Sequence, residues 1–223
     1  MRLKIMNTVN SKDIKSYDNH KRFIVKQKRE RRVYSFPGIN VHMKYWVPNW
    51  EHSRVTRKGF EMGYYDDKTV PFFKNMITSN GLDLGYTIET GTVAGSSIDN
   101  WESLINKVGK QKLIDFFKLL LSRGLEKEAI FTDLAPSNII SKNGIPCLID
   151  LEGLESFSWM FEGKPLSHEA QNRNLAKCDN PFYRGFDEYY VKFVKDVIGI
   201  KDYDGKLNSV KAVESMYNLV KDK

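Results

Sequence analysis

Asn143-Gly144 constrains this chain more than any other dipeptide, because a two-residue turn of type I′ needs positive φ at both positions and Asn-Gly tolerates it. The pair stands between Ile139-Ile140-Ser141-Lys142 and Ile145-Pro146-Cys147-Leu148-Ile149. A β-hairpin is predicted, with Lys142 opposite Ile145 and Asn138 opposite Ile149. Asn138 and Asp150 then leave its open end as diagonal neighbours, roughly 7 Å apart. Strict alternation would send them to opposite faces, so Asp150 has to leave the ladder. Asp133 stands five residues ahead of Asn138, in Phe131-Thr132-Asp133-Leu134-Ala135-Pro136-Ser137-Asn138, and Leu151-Glu152-Gly153 follows Asp150.

Each of these polar residues alone is an ordinary turn residue, since Asp and Asn favour turns. Their combination says more. Two carboxylates and one amide oxygen at a strand end suit magnesium, which takes oxygen ligands and keeps substrate phosphates as the others. The run Asp133-x4-Asn138, an apolar strand and then Ile149-Asp150 resembles the catalytic loop and metal-binding Asp of the protein-kinase-like phosphotransferases. Leu151-Glu152-Gly153 is similar to the tail of that motif in aminoglycoside, choline and sugar or lipopolysaccharide-core kinases. The resemblance covers about Ile130 to Gly153. It implies ATP and Mg2+ as cofactors, Asp133 as the group that receives the proton of an attacking hydroxyl, and Asn138 and Asp150 as metal ligands. Glu152 is expected to assist at the metal or the acceptor.

The resemblance also implies an α+β, bilobal protein-kinase-like fold. A reduced N-terminal sheet lobe with one basic helix is expected over residues 1–92, and a mainly helical C-terminal lobe over 93–223. With 41 % hydrophobic and 28 % charged residues, 223 residues suffice for one sizeable core or two lobes. No apolar run approaches the eighteen or so residues of a membrane span, and Met1-Arg2-Leu3-Lys4 leads into no apolar signal core. A soluble, cytoplasmic protein is the expectation. Cys147 and Cys178 make neither a disulfide framework nor a zinc site, and His20, His42, His52 and His168 show no ligand spacing.

Charge is unevenly placed. Residues 1–58 hold 15 Lys and Arg against 4 Asp and Glu, and the remainder 20 against 24. Such asymmetry fits a phosphate-handling lobe, a nucleic-acid surface, or a solvated helix face carrying surplus lysine.

Met1 to Asn7 reads as a short strand. From Asn19 or His20 to Phe36 a basic helix is predicted, with Phe23, Ile24, Gln27, Glu30, Val33 and Tyr34 on one side and Pro37-Gly38 as its end. In the resembled family a small-lobe helix carries a Glu that pairs with a strand lysine gripping the phosphates. Glu30 is the acid in that position. Lys4 and Lys26 both qualify as the lysine. Lys4 is preferred, because Lys26 lies four residues from Glu30 and would form an ordinary i,i+4 surface pair with it. No Gly-x-Gly-x-x-Gly precedes either, and with Lys4 in the role the chain would begin too late to hold the strands that carry such a loop. The basic run Lys26, Lys28, Arg29, Arg31, Arg32 is the positive charge at hand.

Val41 to Val47, Val55, Phe60 to Tyr64 and Leu84 to Thr90 read as strand pieces, with Val70 to Ile77 a short helix or loop. Glu89, before Gly91 and Gly95, resembles the hinge that would meet an adenine ring. Asp99 or Asn100 is expected to cap a helix through Trp101 and Val108. Gly109 should break it, Lys110 to Arg123 form a second, and Gly124 stand as the C′ residue. Residues 154 to 185 are aromatic and aperiodic. Phe186 to Ile198 and Val210 to Val220 read as amphipathic helices.

Two departures from the resembled family shape the expected activity. Phe131-Thr132 stands where protein kinases have His-Arg, so control through a phosphorylated activation loop is not expected. Ala135 replaces a lysine that would stabilise the transferring phosphoryl group. The expectation is an ATP-dependent enzyme phosphorylating a hydroxyl of a small molecule or glycan. The alternatives are a pseudokinase scaffold and, third, a nucleic-acid binder through the basic N-terminal helix.

Overall fold

The computed structural model describes residues 24–28, 31–36, 41–46, 51–79, 82–89, 100–149, 151–158 and 186–223. Helices combine with small antiparallel sheets in an α+β arrangement. Strands β1 (Ile24–Lys28), β2 (Arg31–Phe36), β3 (Val41–Trp46), β4 (Phe73–Ser79) and β5 (Leu82–Glu89) form one antiparallel sheet in the order β1-β2-β3-β5-β4. Helix α1 (Glu51–Glu61) lies between β3 and β4 in the chain and packs against β5.

Helices α2 (Trp101–Val108) and α3 (Lys110–Lys127) follow, then β6 (Ala129–Phe131), a 3₁₀ turn (Pro136–Asn138) and the hairpin β7 (Ile139–Lys142) and β8 (Ile145–Leu148). A second 3₁₀ turn (Leu151–Gly153) leads into β9 (Leu154–Ser156), which pairs back on β6. Helix α4 (Phe186–Lys192) runs into a π-helical turn (Phe193–Ile198), and α5 (Val210–Val220) closes the described chain.

The first half corrects the sequence expectation three times. Residues 24–28 and 31–36 are paired antiparallel strands, not a basic helix, while residues 19–23 and 29–30 of that expectation lie outside the described residues. The strands' Lys, Arg and Gln content favours a helix, but Ile24, Val25, Val33, Tyr34 and Phe36 suit a pleated surface, and β2 gains a partner in β3 from Arg31↔Trp46 to Phe36↔Val41. The strand pieces expected at Val55 and Phe60 belong to α1. Among its residues from Val55 onward, Val55, Thr56 and Gly59 are buried and recur at helical spacing, and Gly59 leaves room for the Tyr65 ring against the helix. The helix or loop expected at Val70 to Ile77 is mostly strand β4. Ser79 pairs with Leu82 across Asn80-Gly81, the same Asn-Gly signal that stands at 143–144. The strand expected at Met1 to Asn7 lies outside the described residues.

The second half follows its periodicity closely. Asn100 caps α2 by accepting from the Ser103 N–H at 2.8 Å. Helix α3 continues through Gly124 to Lys127 and ends with Glu128 in the left-handed region at φ 50°. Gly124 is therefore an interior residue: a Cβ there would stand 2.7 Å from the Ala129 carbonyl oxygen, and glycine lets the strand approach. Leu113, Phe117, Leu120, Tyr190, Phe193, Val213 and Met216 share one buried cluster. Phe117 stacks on Phe193 with centroids 3.9 Å apart, and Trp101 meets Phe193 edge-on at 5.0 Å. Each such side chain contributes about 1.5–3 kcal/mol on burial. Among the described residues no helix is long and apolar enough to cross a membrane.

Candidate functional site

The hairpin forms as predicted. Asn143 and Gly144 take φ of 54° and 74°, Lys142 pairs with Ile145, and Ile139 pairs with Leu148. Beyond the ladder the Ile149 N–H donates to the Asn138 carbonyl at 2.8 Å, so Asn138 and Ile149 meet as expected. Asn138 is not a strand residue, however. It closes the 3₁₀ turn begun by Pro136, with its N–H on the Ala135 carbonyl at 2.9 Å.

The Asn138 side chain joins the two ends of the loop. It is buried, and its Nδ2 donates to the Asp133 carbonyl at 3.0 Å. A carbonyl partner decides the orientation of the amide, since only the nitrogen can donate to it. Oδ1 is then the end of the group that can serve a cation. Asp133 itself is half-buried in the segment after β6.

That segment is clamped against the second turn. Gly153 offers its carbonyl to the Thr132 N–H at 2.7 Å and to Thr132 Oγ1 at 2.8 Å. Thr132 thus has a structural duty where protein kinases place an arginine. Gly153 is needed for the approach: a Cβ on it would lie 3.1 Å from the Asp133 Cβ and 3.2 Å from the Phe131 ring. Ala135 is buried.

Three tyrosines brace the backbone on either side. The Phe131 N–H donates to Tyr64 Oη at 3.2 Å, and the Tyr190 hydroxyl donates to the Phe131 carbonyl at 2.8 Å. Tyr65 donates to the Leu151 carbonyl at 2.6 Å. Burial pushes Tyr64 and Tyr190 well above the ordinary phenol range, so both remain protonated. Sequence reasoning missed all three. No local signal marks them, because each acts across more than fifty residues.

The segment between α1 and β4 is tied to the same region. Arg123, on α3, pairs with Asp66 and donates to the Tyr64 carbonyl at 2.8 Å, while the Leu148 N–H donates to the Thr69 carbonyl at 2.9 Å. Partial burial would raise the Asp66 carboxyl. The Arg123 hydrogen bond and charge, with the Lys68 and Thr69 N–H groups, outweigh it and hold the pKa below the ordinary value.

Of the other expected site residues, Glu152, Lys26 and Glu89 are described. Glu152 is half-buried in the Leu151–Gly153 turn, beside the Asp133 segment. Asp150, Lys4 and Glu30 lie outside the described residues, though the neighbours of Asp150, Ile149 and Leu151, are both held by the hydrogen bonds above. Lys26 stands on β1 opposite Val33, so it forms no helical i,i+4 pair with Glu30. Glu89 ends β5 opposite Val41.

Lys44, which was not read as a site residue, occupies the middle of β3, the central strand, between Val33 on β2 and Tyr86 on β5. Glu51 opens the helix that follows. Among the described residues no three His, Cys, Asp or Glu side chains gather as a metal site. The magnesium donors implied by the resemblance include Asp150, outside that set, and an amide, Asn138, whose committed nitrogen suits an oxygen-seeking cation. No model of a known protein family matches the sequence, and no curated protein matches it.

Proposed function

We propose that this chain is an ATP-dependent phosphotransferase of the protein-kinase-like kind, acting in the cytoplasm on a hydroxyl of a small molecule or glycan. The observation that carries the reading is the Asn138 side chain tying itself to the Asp133 backbone at 3.0 Å while its own carbonyl holds Ile149 beside Asp150. One residue thereby spaces the proposed proton acceptor from the proposed metal-binding end. Phosphoryl transfer asks mainly for positioning and charge neutralisation, so rigid spacing is what such a site requires.

The element order supports the same reading. A five-stranded antiparallel sheet with a helix after its third strand precedes two helices, the Asp133 segment and the hairpin. We read residues 1–92 as the sheet lobe and 93–223 as the helical lobe. The third strand is β3 and the helix after it is α1, so Lys44 replaces Lys4 and Lys26 as the phosphate-gripping lysine, and Glu51 replaces Glu30 as its acid. Lysine is depleted in strands, more so at the centre of a sheet, and a functional duty accounts for it there.

Asp133 orients the acceptor hydroxyl and takes its proton. Asn138 and Asp150 hold magnesium, with Glu152 beside them, and Glu89 lies at the strand end that leads to the adenine position. Magnesium, when bound, neutralises charge on the nucleotide phosphates.

The test is ATP turnover with magnesium across a panel of hydroxyl acceptors. A positioned general base is worth about 10²–10⁴ in rate. Asp133→Asn is expected to lower kcat by at least about a hundredfold with ATP affinity kept within about threefold. Unchanged turnover in that variant overturns the reading. ATP binding without turnover by the wild-type chain replaces it with a nucleotide-binding scaffold.

A further inference from the structure

The sheet register sorts the charges of the first lobe in a way the sequence hides. Residues directly opposed across neighbouring strands share a face. Met76 opposes Tyr86, Tyr86 opposes Lys44, Lys44 opposes Val33, and Val33 opposes Lys26. Phe73, Ile88, His42 and Ser35 form a second row on the same face. Met76 is fully buried and Phe73 packs against the core, so this face is the inner one. Helix α1, whose Val55 joins the same core, covers its β5 side.

A third row on the inner face runs Lys28, Arg31, Trp46. Lys26, Lys28, Arg31 and Lys44 therefore stand together on one face of three adjacent strands. Arg32, opposite Tyr45, is on the other face. So is Glu89, opposite Val41. Asp83 is opposite Thr78, which alternates with Ile77 on β4, so beyond the bulge at Leu84 it falls on the inner face near the start of β5. Lys74 falls in the bulge between Phe73 and Asn75 and is assigned to neither. On β1, β2 and β3 the inner face thus holds four cations and no carboxylate. Helix α1 brings Glu51 and Glu61, but also Arg54, Arg57 and Lys58.

Like charges on adjacent strands repel and are destabilising without a counter-charge. These three strands carry no carboxylate, so that counter-charge has to come from another element or from a ligand. The β1–β2 connection is two residues, Arg29-Glu30, with no glycine to let a backbone close over phosphates.

We propose that the inner face of the β1–β2 hairpin is a polyphosphate-binding surface. Lys26, Lys28 and Arg31 neutralise the phosphates of a nucleoside triphosphate through side-chain charge, in place of glycine-loop amides. This rests on the phosphotransferase reading for the identity of the nucleotide, but not for the binding of polyphosphate.

The test is calorimetric titration of the full chain with ATP, inorganic tripolyphosphate and adenosine. Each is run at two salt concentrations and repeated on the triple variant Lys26→Ala, Lys28→Ala, Arg31→Ala. The triple variant is expected to weaken ATP and tripolyphosphate by at least about tenfold, to flatten their salt dependence and to leave adenosine unchanged. Arg32→Ala, on the opposite face, is expected to stay within about twofold, and Lys28→Arg to keep wild-type affinity.

Equal affinity in the triple variant overturns the proposal. So does an equal loss in Arg32→Ala, or a loss of adenosine together with a lowered Tm. A single-stranded oligonucleotide bound more tightly than tripolyphosphate overturns it in favour of nucleic acid. Should Asp133→Asn leave turnover unchanged, the phosphotransferase reading fails while the tripolyphosphate arm still decides this one.

Discussion

Tyr190 reaches the Phe131 carbonyl from a helix 59 residues away in sequence. The hydroxyl is fully buried, so Tyr190→Phe removes a hydrogen bond and replaces it with nothing. A loss of about 1 kcal/mol is expected, read as a lower Tm. Because Phe131 is two residues from Asp133, kcat should fall more than KM changes, whereas a purely structural role would leave the kinetics of the folded fraction untouched. Asp66 sets a pH dependence. Its carboxyl lies below its ordinary value of 3.8 when folded, so its stabilisation is complete above that value and is lost as pH falls through the depressed one. The Tm difference between wild type and Asp66→Asn should be largest near neutral pH and should narrow below about pH 4. Cys147, pushed up to about 11 by burial, stays a thiol throughout this range.

At the scale of elements, the glycines divide into those that turn and those that admit a neighbour. Gly153→Ala drives a methyl into the Asp133 segment, which must yield by a few tenths of an ångström. Roughly tenfold lower kcat with little change in Tm is the expected result, given that a displacement of about 1 Å can cost a hundredfold. Glu128 holds the left-handed position that closes α3, so Glu128→Gly should raise stability by about 0.5–1 kcal/mol, checked by denaturant midpoint.

These elements also mark what the sequence disclosed. The hairpin at 139–148, the cap at Asn100 and the helices around Phe117 and Val213 were legible because each is specified by neighbours a few residues apart. Gly124 was misread because its reason, the Ala129 carbonyl, is a contact between elements. The segments 24–28 and 31–36 depart from the expected helix because their composition favours one and only pairing, of β1 with β2 and of β2 with β3, makes them strands. Asn80-Gly81, between the paired Ser79 and Leu82, carries the same local turn signal as Asn143-Gly144.

For the whole molecule, the same contrast separates the candidate site from its support. Asp133, Asn138 and Glu152 were legible as a spacing, and Lys44 became visible only once β3 and α1 were seen to be consecutive. The tyrosines and the Arg123–Asp66 pair were not legible at all, since nothing local announces a side chain that serves a distant carbonyl. Strand β6 has three residues, too few to hold a conformation by itself. Its backbone is gripped by Tyr64 from upstream and Tyr190 from downstream. Fragments ending before Tyr190, including a chain still emerging from the ribosome, should therefore hold the Asp133 segment from the upstream side alone, so that its final ordering waits for the helix that carries Tyr190.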